Sequence, residues 1–335
     1  MADQNHPTYS SCDSVSPQCP VSATLYGDFF AKGPTLFFSI AFGTALLVQV
    51  YFGWKSRAWS FVSWLAIGTI LELAGYISRV AMSSNPWNFP AFATQLLTLI
   101  LAPTFVAAAI SITCKYFVLY YGPELSPIRP KLYPWIFVGS DFLSIVIQGA
   151  GAFVAAAATS SDPPNKSLSD VSAGLLITGV SFQVANMLGC AGLMVVFWRR
   201  YKNRHLQQGT PEGGSGCDMA VDMNSSRSHA DVRLNEHKIR IFVWVVIVAF
   251  IAIIIRCIYR VPEMASGWGS SLMKDELAFL ILDGAMILIS VVLLSVIHPC
   301  VFFPLVGNEK MVTELNKNTI PLKKKRSRRS RHRAV

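Results

Sequence analysis

Between Ile239 and Glu263 the chain reads IRIFVWVVIVAFIAIIIRCIYRVPE, and no other stretch limits its fold so tightly. Ile241 to Ile255 is an uninterrupted run without a charged residue. With its flanks it is long enough to cross a bilayer as one helix. Yet Arg256, Tyr259, Arg260 and Glu263 follow at once. Arg260 lies four residues and Glu263 seven residues after Arg256, which on a helix puts all three on one face. An arginine within hydrocarbon costs at least about 2.5–3.5 kcal/mol on insertion scales, so this face must turn to a protein interior or a watery cavity. The stretch predicts a bundle of membrane spans with a polar interior.

The rest of the chain supplies the other spans. Of its residues 52% are hydrophobic and only 14% charged, where soluble domains carry roughly 25% charge. The apolar residues come in blocks, at about Thr35–Gly53, Ala58–Val80, Ala91–Tyr116, Pro134–Ala158, Ala173–Trp198, Ile239–Glu263 and Leu277–Phe303. This is an all-α, polytopic membrane protein with seven expected transmembrane helices. Its expected division is a poorly ordered extracellular lead (1–34), a seven-helix domain (35–306) with a flexible cytosolic linker (199–238), and a basic cytosolic tail (307–335). Pro103, in the middle of the third span, predicts a kink whose freed carbonyl needs another donor.

The cations set an orientation. Seven spans with the N-terminus outside place 23 of the 29 Lys and Arg in cytosolic loops and tail. Lys32, Lys166 and Lys274 lie outside, Arg260 at the border, and Arg79 and Arg256 within spans. That asymmetry predicts N-out, C-in. Asn165-Lys166-Ser167 is a glycosylation sequon in an expected outer loop, so Asn165 is the candidate acceptor. The net charge of +10 is concentrated in Lys323 to Arg333. Such a tail points to anionic membrane lipids as partners and away from nucleic acid. Cys12 and Cys19 precede the first span. They either pair, if that end meets an oxidising side, or are two free thiols. Cys114, Cys190, Cys257 and Cys300 read as small apolar packing residues. No CxxC pair or histidine cluster predicts a metal, and no cofactor is expected.

Counting helical rise gives the depth of the polar side chains. Glu72, Tyr76 and Arg79 share one face of the second span by i, i+4, i+7 spacing. Gln95 is one turn from the outer end of the third. Asp283 lies roughly 10 Å below Glu276 on the seventh. Glu72, Arg79, Gln95, Arg256, Arg260, Glu276 and Asp283 therefore fall in the outer half. Asp141 lies deeper toward the inside, with Gln148 above it. The candidate substrate-binding set is these nine together with Tyr76, Tyr259 and Glu263. Against it stands the plainer reading, in which single members are buried ion pairs that lock helices. For Gln183 and Asn186 that reading, interhelical hydrogen bonding, is the expected one.

At these residues the sequence resembles the fungal lipid-translocating exporter family. The motifs are Glu72-x-x-Gly75-Tyr76-x-x-Arg79; Gln95, Leu101-Ala102-Pro103 and Ala108-Ala109; and Asp141-x-x-Ser144-x-x-x-Gln148-Gly149-x-Gly151. They continue with Gly174, Gly179 and Gln183; Arg256-x-x-Tyr259-Arg260-x-x-Glu263 with Gly267; and Glu276, Asp283 and His298-Pro299. The chain departs from the family pattern at Ile110-Ser111, at Cys114-Lys115, and at Leu280 and Leu282. The resemblance implies seven spans, N-out and C-in, and movement of a lipid-like amphiphile such as a sphingoid base, a sterol-like amine or a toxic hydrophobe.

The expected function is thus transport or export of such an amphiphile through a polar chamber opening to the outer leaflet. Glu72, Glu276 and Asp283 would receive an ammonium group, and Arg256 and Arg260 would balance the empty site or hold a phosphate. The alternative is a seven-span lipid sensor or receptor without transport. An enzyme is not expected: there is no G-x-x-x-x-G-K-[ST] loop and no G-x-S-x-G elbow. Of six histidines only His298 lies in a span, too few for a metal-dependent intramembrane hydrolase. The plasma membrane, or another endomembrane, is the expected location. The sequence sets no oligomeric state.

Overall fold

A computed structural model of the chain describes residues 7, 9, 11–56, 59–121, 127, 132–160, 166–208, 225–266 and 270–296. Among them the long elements are all helices: α1 (Lys32–Ser56), α2 (Trp59–Met82), α3 (Phe89–Tyr121), α4 (Leu132–Ser160), α5 (Lys166–Gln208) and α6 (Ser225–Ala265). After a short turn, α7 (Ser271–Lys274), the last span is built from α8 (Glu276–Phe279), a π-helical segment (Leu280–Ala285) and α9 (Met286–Val296). Seven of the described helical stretches are long and apolar enough to cross a membrane, as the sequence predicts. The chain is an integral, multi-pass membrane protein. Asn165, Gly267, His298-Pro299, Cys300, residues 209–224 of the linker and the tail lie outside the described residues.

Helices adjacent in sequence pack against each other, and α1 closes the bundle against α9. The third span is the exception to an otherwise lipid-facing set. Its most apolar window is 78% buried, against 28–44% for the other spans, so α3 is the core helix around which the rest are arranged. Asn88 caps its start, the side-chain oxygen accepting from the Ala91 N–H at 3.1 Å. Asp275 caps the seventh span in the same way, accepting from the Ala278 N–H at 3.1 Å. Gly75 lets α2 approach α3 closely, since a Cβ there would run into the Leu99 side chain. The main core joins Phe42, Phe61, Tyr76, Val106, Ala109, Phe242, Ile253, Ile287 and Val291 across five of these helices.

The lead departs from the expected disordered arm. Cys12 and Cys19 form a disulfide, which resolves the alternatives the sequence leaves open. The closed loop is fastened to the α2–α3 link: Trp87 Nε1 donates to the Cys19 carbonyl at 3.1 Å and Asn85 Nδ2 to the Asp13 carbonyl at 2.7 Å. Tyr9 stacks on Phe92, with ring centroids 5.5 Å apart. Tyr26 packs edge-on to Phe30 and accepts from Gln95 Nε2 at 3.3 Å. Burial lifts the Tyr26 phenol above its ordinary value, against the pull of Arg79, so it stays neutral in this contact. The aromatics tether a segment whose overall polarity reads as loop. Helix also extends into the expected linker, through Gln208 on α5 and from Ser225 on α6.

Candidate functional site

The face predicted on the sixth span builds the centre of the molecule's charge. Arg256 is fully buried and works in three directions. Its Nε donates to Asp283 Oδ1 at 2.8 Å and its Nη2 to Asp283 Oδ2 at 3.1 Å, a two-pronged grip on one carboxylate. Nη2 also donates to the Leu99 carbonyl at 2.8 Å and lies 3.1 Å from Glu72 Oε1. One turn on, Arg260 Nε donates to the same Asp283 Oδ1 at 2.7 Å, and its Nη1 donates to Glu263 Oε2 at 3.0 Å. Glu72, Arg256, Asp283, Arg260 and Glu263 thus form one continuous chain of charge across α2, α6 and the seventh span.

Two local features make that chain possible. Pro103 has no N–H, so the carbonyl four residues earlier, Leu99, lacks its helical donor. Arg256 supplies the missing hydrogen bond, which couples the Pro103 turn of α3 to the ion chain. The π segment carries Asp283 and Gly284. Such single-turn insertions re-aim side chains within an otherwise regular helix. Gly284 is needed because a Cβ there would collide with the Tyr76 hydroxyl and press on the Phe38 ring. Tyr76 itself is held between Phe38 and Phe42, its ring centroid 4.9 and 5.5 Å from theirs.

A second pair sits toward the lead. Arg79 Nη2 donates to Glu276 Oε1 at 3.3 Å, and its guanidinium lies over Phe30 and Phe279 at 4.0 and 4.3 Å. Arg260 faces the same Phe279 ring at 5.0 Å, so this aromatic joins the pair to the ion chain. Both Glu276 oxygens accept from the Ala31 N–H, at 3.2 and 3.1 Å, which binds the end of the lead to the cluster.

Of the candidate residues, the structure brings together Glu72, Tyr76, Arg79, Arg256, Arg260, Glu263, Glu276 and Asp283. Tyr259 is on the same helix, buried, with no partner for its hydroxyl. Gln95 is engaged by Tyr26 instead. Asp141 and Gln148 stand apart, in a seam between α4 and α5. Asn186 Nδ2 donates to Asp141 Oδ1 at 2.7 Å, Gln148 Nε2 to Gln183 Oε1 at 3.0 Å and to Ser144 Oγ at 2.6 Å, and Ser144 Oγ to the Gly179 carbonyl at 2.9 Å. Gln183 and Asn186 thus make the interhelical bonds expected of them. Cys114, Cys190 and Cys257 are buried free thiols.

The cluster is unbalanced. Its ion pairs gather four carboxylates, Glu72, Glu263, Glu276 and Asp283, around three guanidiniums, Arg79, Arg256 and Arg260. Several polar atoms in it have no hydrogen-bond partner: both Glu72 oxygens, Arg256 Nη1, Arg260 Nη2, Arg79 Nε and the Tyr76 hydroxyl. Burying charge is costly, and charge left with open hydrogen-bonding positions more so.

The sequence pattern of the RTA1-like proteins matches residues 65–305, a stretch that includes every ion of the cluster. The chain belongs to the RTA1-like family. Outside that assignment it is similar to a protein named sphingoid long-chain base transporter RSB1 in Saccharomyces cerevisiae. The strain S288c sequence is 27% identical over 309 residues, covering 87% of this chain and 78% of the relative. The protein of the same name in strain Lalvin EC1118 gives the same figures. No solved structure matches the chain significantly. Along the chain, α2, α6 and the seventh span deliver the cluster's ions in the order of the motifs read from the sequence.

Proposed function

We propose that this RTA1-like protein moves a lipid-like amphiphile with a cationic headgroup, of the sphingoid-base or sterol-like-amine kind, across or out of its membrane. One observation carries the reading: Glu72, wholly buried, has an ion pair to Arg256 but no hydrogen-bond donor on either oxygen. An ammonium with neighbouring hydroxyls supplies both the missing charge and the missing donors. Asp283, gripped by two arginines, fixes their guanidinium groups, while Glu72, paired with Arg256 alone, keeps acceptor positions open to the guest. The naming of the yeast relative for sphingoid long-chain bases supports the same class. The hydrocarbon part of the guest lies sideways, between helices, in the lipid-facing surface.

In this conformation the cluster is closed, with Arg256, Glu72 and Asp283 fully buried. Loading therefore requires a movement, and the Tyr26–Ala31 end of the lead, bonded to Glu276 and lying on Arg79, is the part positioned to open. The Cys12–Cys19 disulfide supports an oxidising, outward position for the lead, in line with the cation asymmetry. With the lead outward, the cluster of this reading lies toward the outer leaflet, and an exporter of this kind acts in the plasma membrane.

The deciding experiment is flux of a radiolabelled sphingoid base through vesicles reconstituted with the purified protein. Protein-dependent flux that is lost in Glu72→Gln is expected. Binding without any flux would favour the seven-span sensor, for which full enclosure of the ions is equally suited.

A further inference from the structure

A polar node lies deeper in the bundle, outside the ion cluster and outside every motif read from the sequence. Gln49 is 1% exposed and falls on the inward face of α1 with Thr35, Phe38, Phe42 and Ala45, all buried. It sits 17 residues into α1, roughly 26 Å along it. Its Nε2 donates to Thr69 Oγ1 on α2 and to Ser295 Oγ on α9, both at 2.9 Å. Both hydroxyl protons are already committed. Thr69 Oγ1 donates to the Leu65 carbonyl at 2.9 Å and Ser295 Oγ to the Val291 carbonyl at 2.5 Å. With both hydroxyl protons on the i−4 carbonyls, the two oxygens accept from the Gln49 nitrogen. In that arrangement Oε1 is a buried acceptor with no donor among the described residues.

An amide held by two bonds on one side keeps an open acceptor on the other, as Gln148 also does in the α4–α5 seam; what distinguishes Gln49 is its place below the acid cluster. Its position gives the idle end a use. Thr69 is three residues before Glu72, one turn of α2. The node thus follows the cluster's least satisfied acid along the wall shared by α1, α2 and the seventh span. Resting on the transport reading above, we propose that Gln49 Oε1 is a second headgroup station, which accepts a hydrogen bond from the ammonium or hydroxyl of the amphiphile as it passes between Glu72 and the inner end of the bundle. Thr69 and Ser295 are its positioning residues.

The test uses the full-length protein in vesicles and in nanodiscs, with a radiolabelled sphingoid base and its uncharged N-acylated analogue as probes. Gln49→Leu keeps the volume and removes the acceptor. Binding of the base at the outer cluster is expected to stay within about twofold of wild type, which also reports a folded protein, while initial flux falls about tenfold. Gln49→Glu exchanges the neutral acceptor for an anionic one, and the ratio of flux of the base to that of its analogue is expected to rise about tenfold. A change in that ratio is something a merely structural amide cannot produce, and it is measurable even if Gln49→Leu fails to fold. Wild-type flux in Gln49→Leu, or an unchanged ratio in Gln49→Glu, overturns the proposal. Absence of flux in the wild-type protein overturns the transport reading instead, so the two failures are distinct.

Discussion

Two of the polar regions that cross helix interfaces in this protein are built on different principles. The cluster on α2, α6 and the seventh span is ionic, buried and short of one positive charge. The seam between α4 and α5 joins Gln148 to Gln183 and Asp141 to Asn186 through amides and a hydroxyl, without a cation in salt-bridge reach among the described residues. Both bury acid at membrane depth. In the cluster the cost is offset by guanidinium forks, which demand partners and leave some polar atoms idle. In the seam it is offset by neutral amide donors, with only Gln148 Oε1 and Gln183 Nε2 left without partners among the described residues. An interface of neutral amides holds helices together at small cost; one with idle charge is poised to take up something else. The strongest perturbations of the two regions should therefore differ in kind.

The largest effect is expected from Arg256→Ala. It strips Asp283 of two donors, Glu72 of its counter-ion and Leu99 of its only replacement donor at once. Uncompensated buried charge of this sort costs about 3–5 kcal/mol. The detergent-solubilised variant should show a clearly lowered melting temperature and no export. Normal abundance with wild-type export would remove the cluster from the mechanism.

Glu72→Gln comes next and separates function from stability. Only the ion pair with Arg256 is lost, and that arginine keeps Asp283 and the Leu99 carbonyl, so the melting temperature should fall by less than in Arg256→Ala. Affinity for an amine amphiphile should fall about tenfold or more, the worth of a charge-assisted contact. Equal affinity, read by equilibrium binding in nanodiscs, would show that the open oxygens are not the receiving group.

These residues also mark how much the sequence discloses. Seven spans were legible from apolar blocks, because a bilayer demands length and hydropathy before anything else. The grouping of Arg256, Arg260, Glu263, Glu72 and Asp283 was legible from helical spacing and depth. The π segment was not, since Leu280 to Ala285 has no local mark that one extra residue enters the turn. The fate of Asp141 and Gln148 was hidden for another reason. Depth counting ranks side chains along the membrane normal but cannot say which helix faces which, and these two turn to α5. The order of residues 11–31 was missed because a few aromatics and one disulfide outweigh a polar composition. Gln49 was overlooked as a single amide in an apolar span, although a lone polar residue at such depth needs a partner.

Leu99 offers a sharper probe of the cluster. In the native chain Arg256→Lys leaves the Leu99 carbonyl short of a donor, because a lysine has no fork to serve Asp283 and the carbonyl together. Pro103→Ala restores a helical N–H to that carbonyl. The lysine substitution should therefore cost about 1 kcal/mol less in the Pro103→Ala background than in the native one. A double-mutant cycle on denaturation or thermal stability measures the coupling. A value near zero would mean the Pro103 turn and the ion chain are merely neighbours.

The smallest effect is expected in the seam, and it is the one that could undo the contrast. Asp141→Asn keeps the carbonyl oxygen that accepts from Asn186 Nδ2 and removes only the acidic group. If the seam is packing, stability should shift by less than about 1 kcal/mol, the net worth of one neutral hydrogen bond, and flux should stay within about twofold. A collapse of flux with unchanged stability would make Asp141 a working acid rather than a fastener. The two regions would then be successive parts of one route, and the division between an ionic receiving site and a neutral brace would have to be given up.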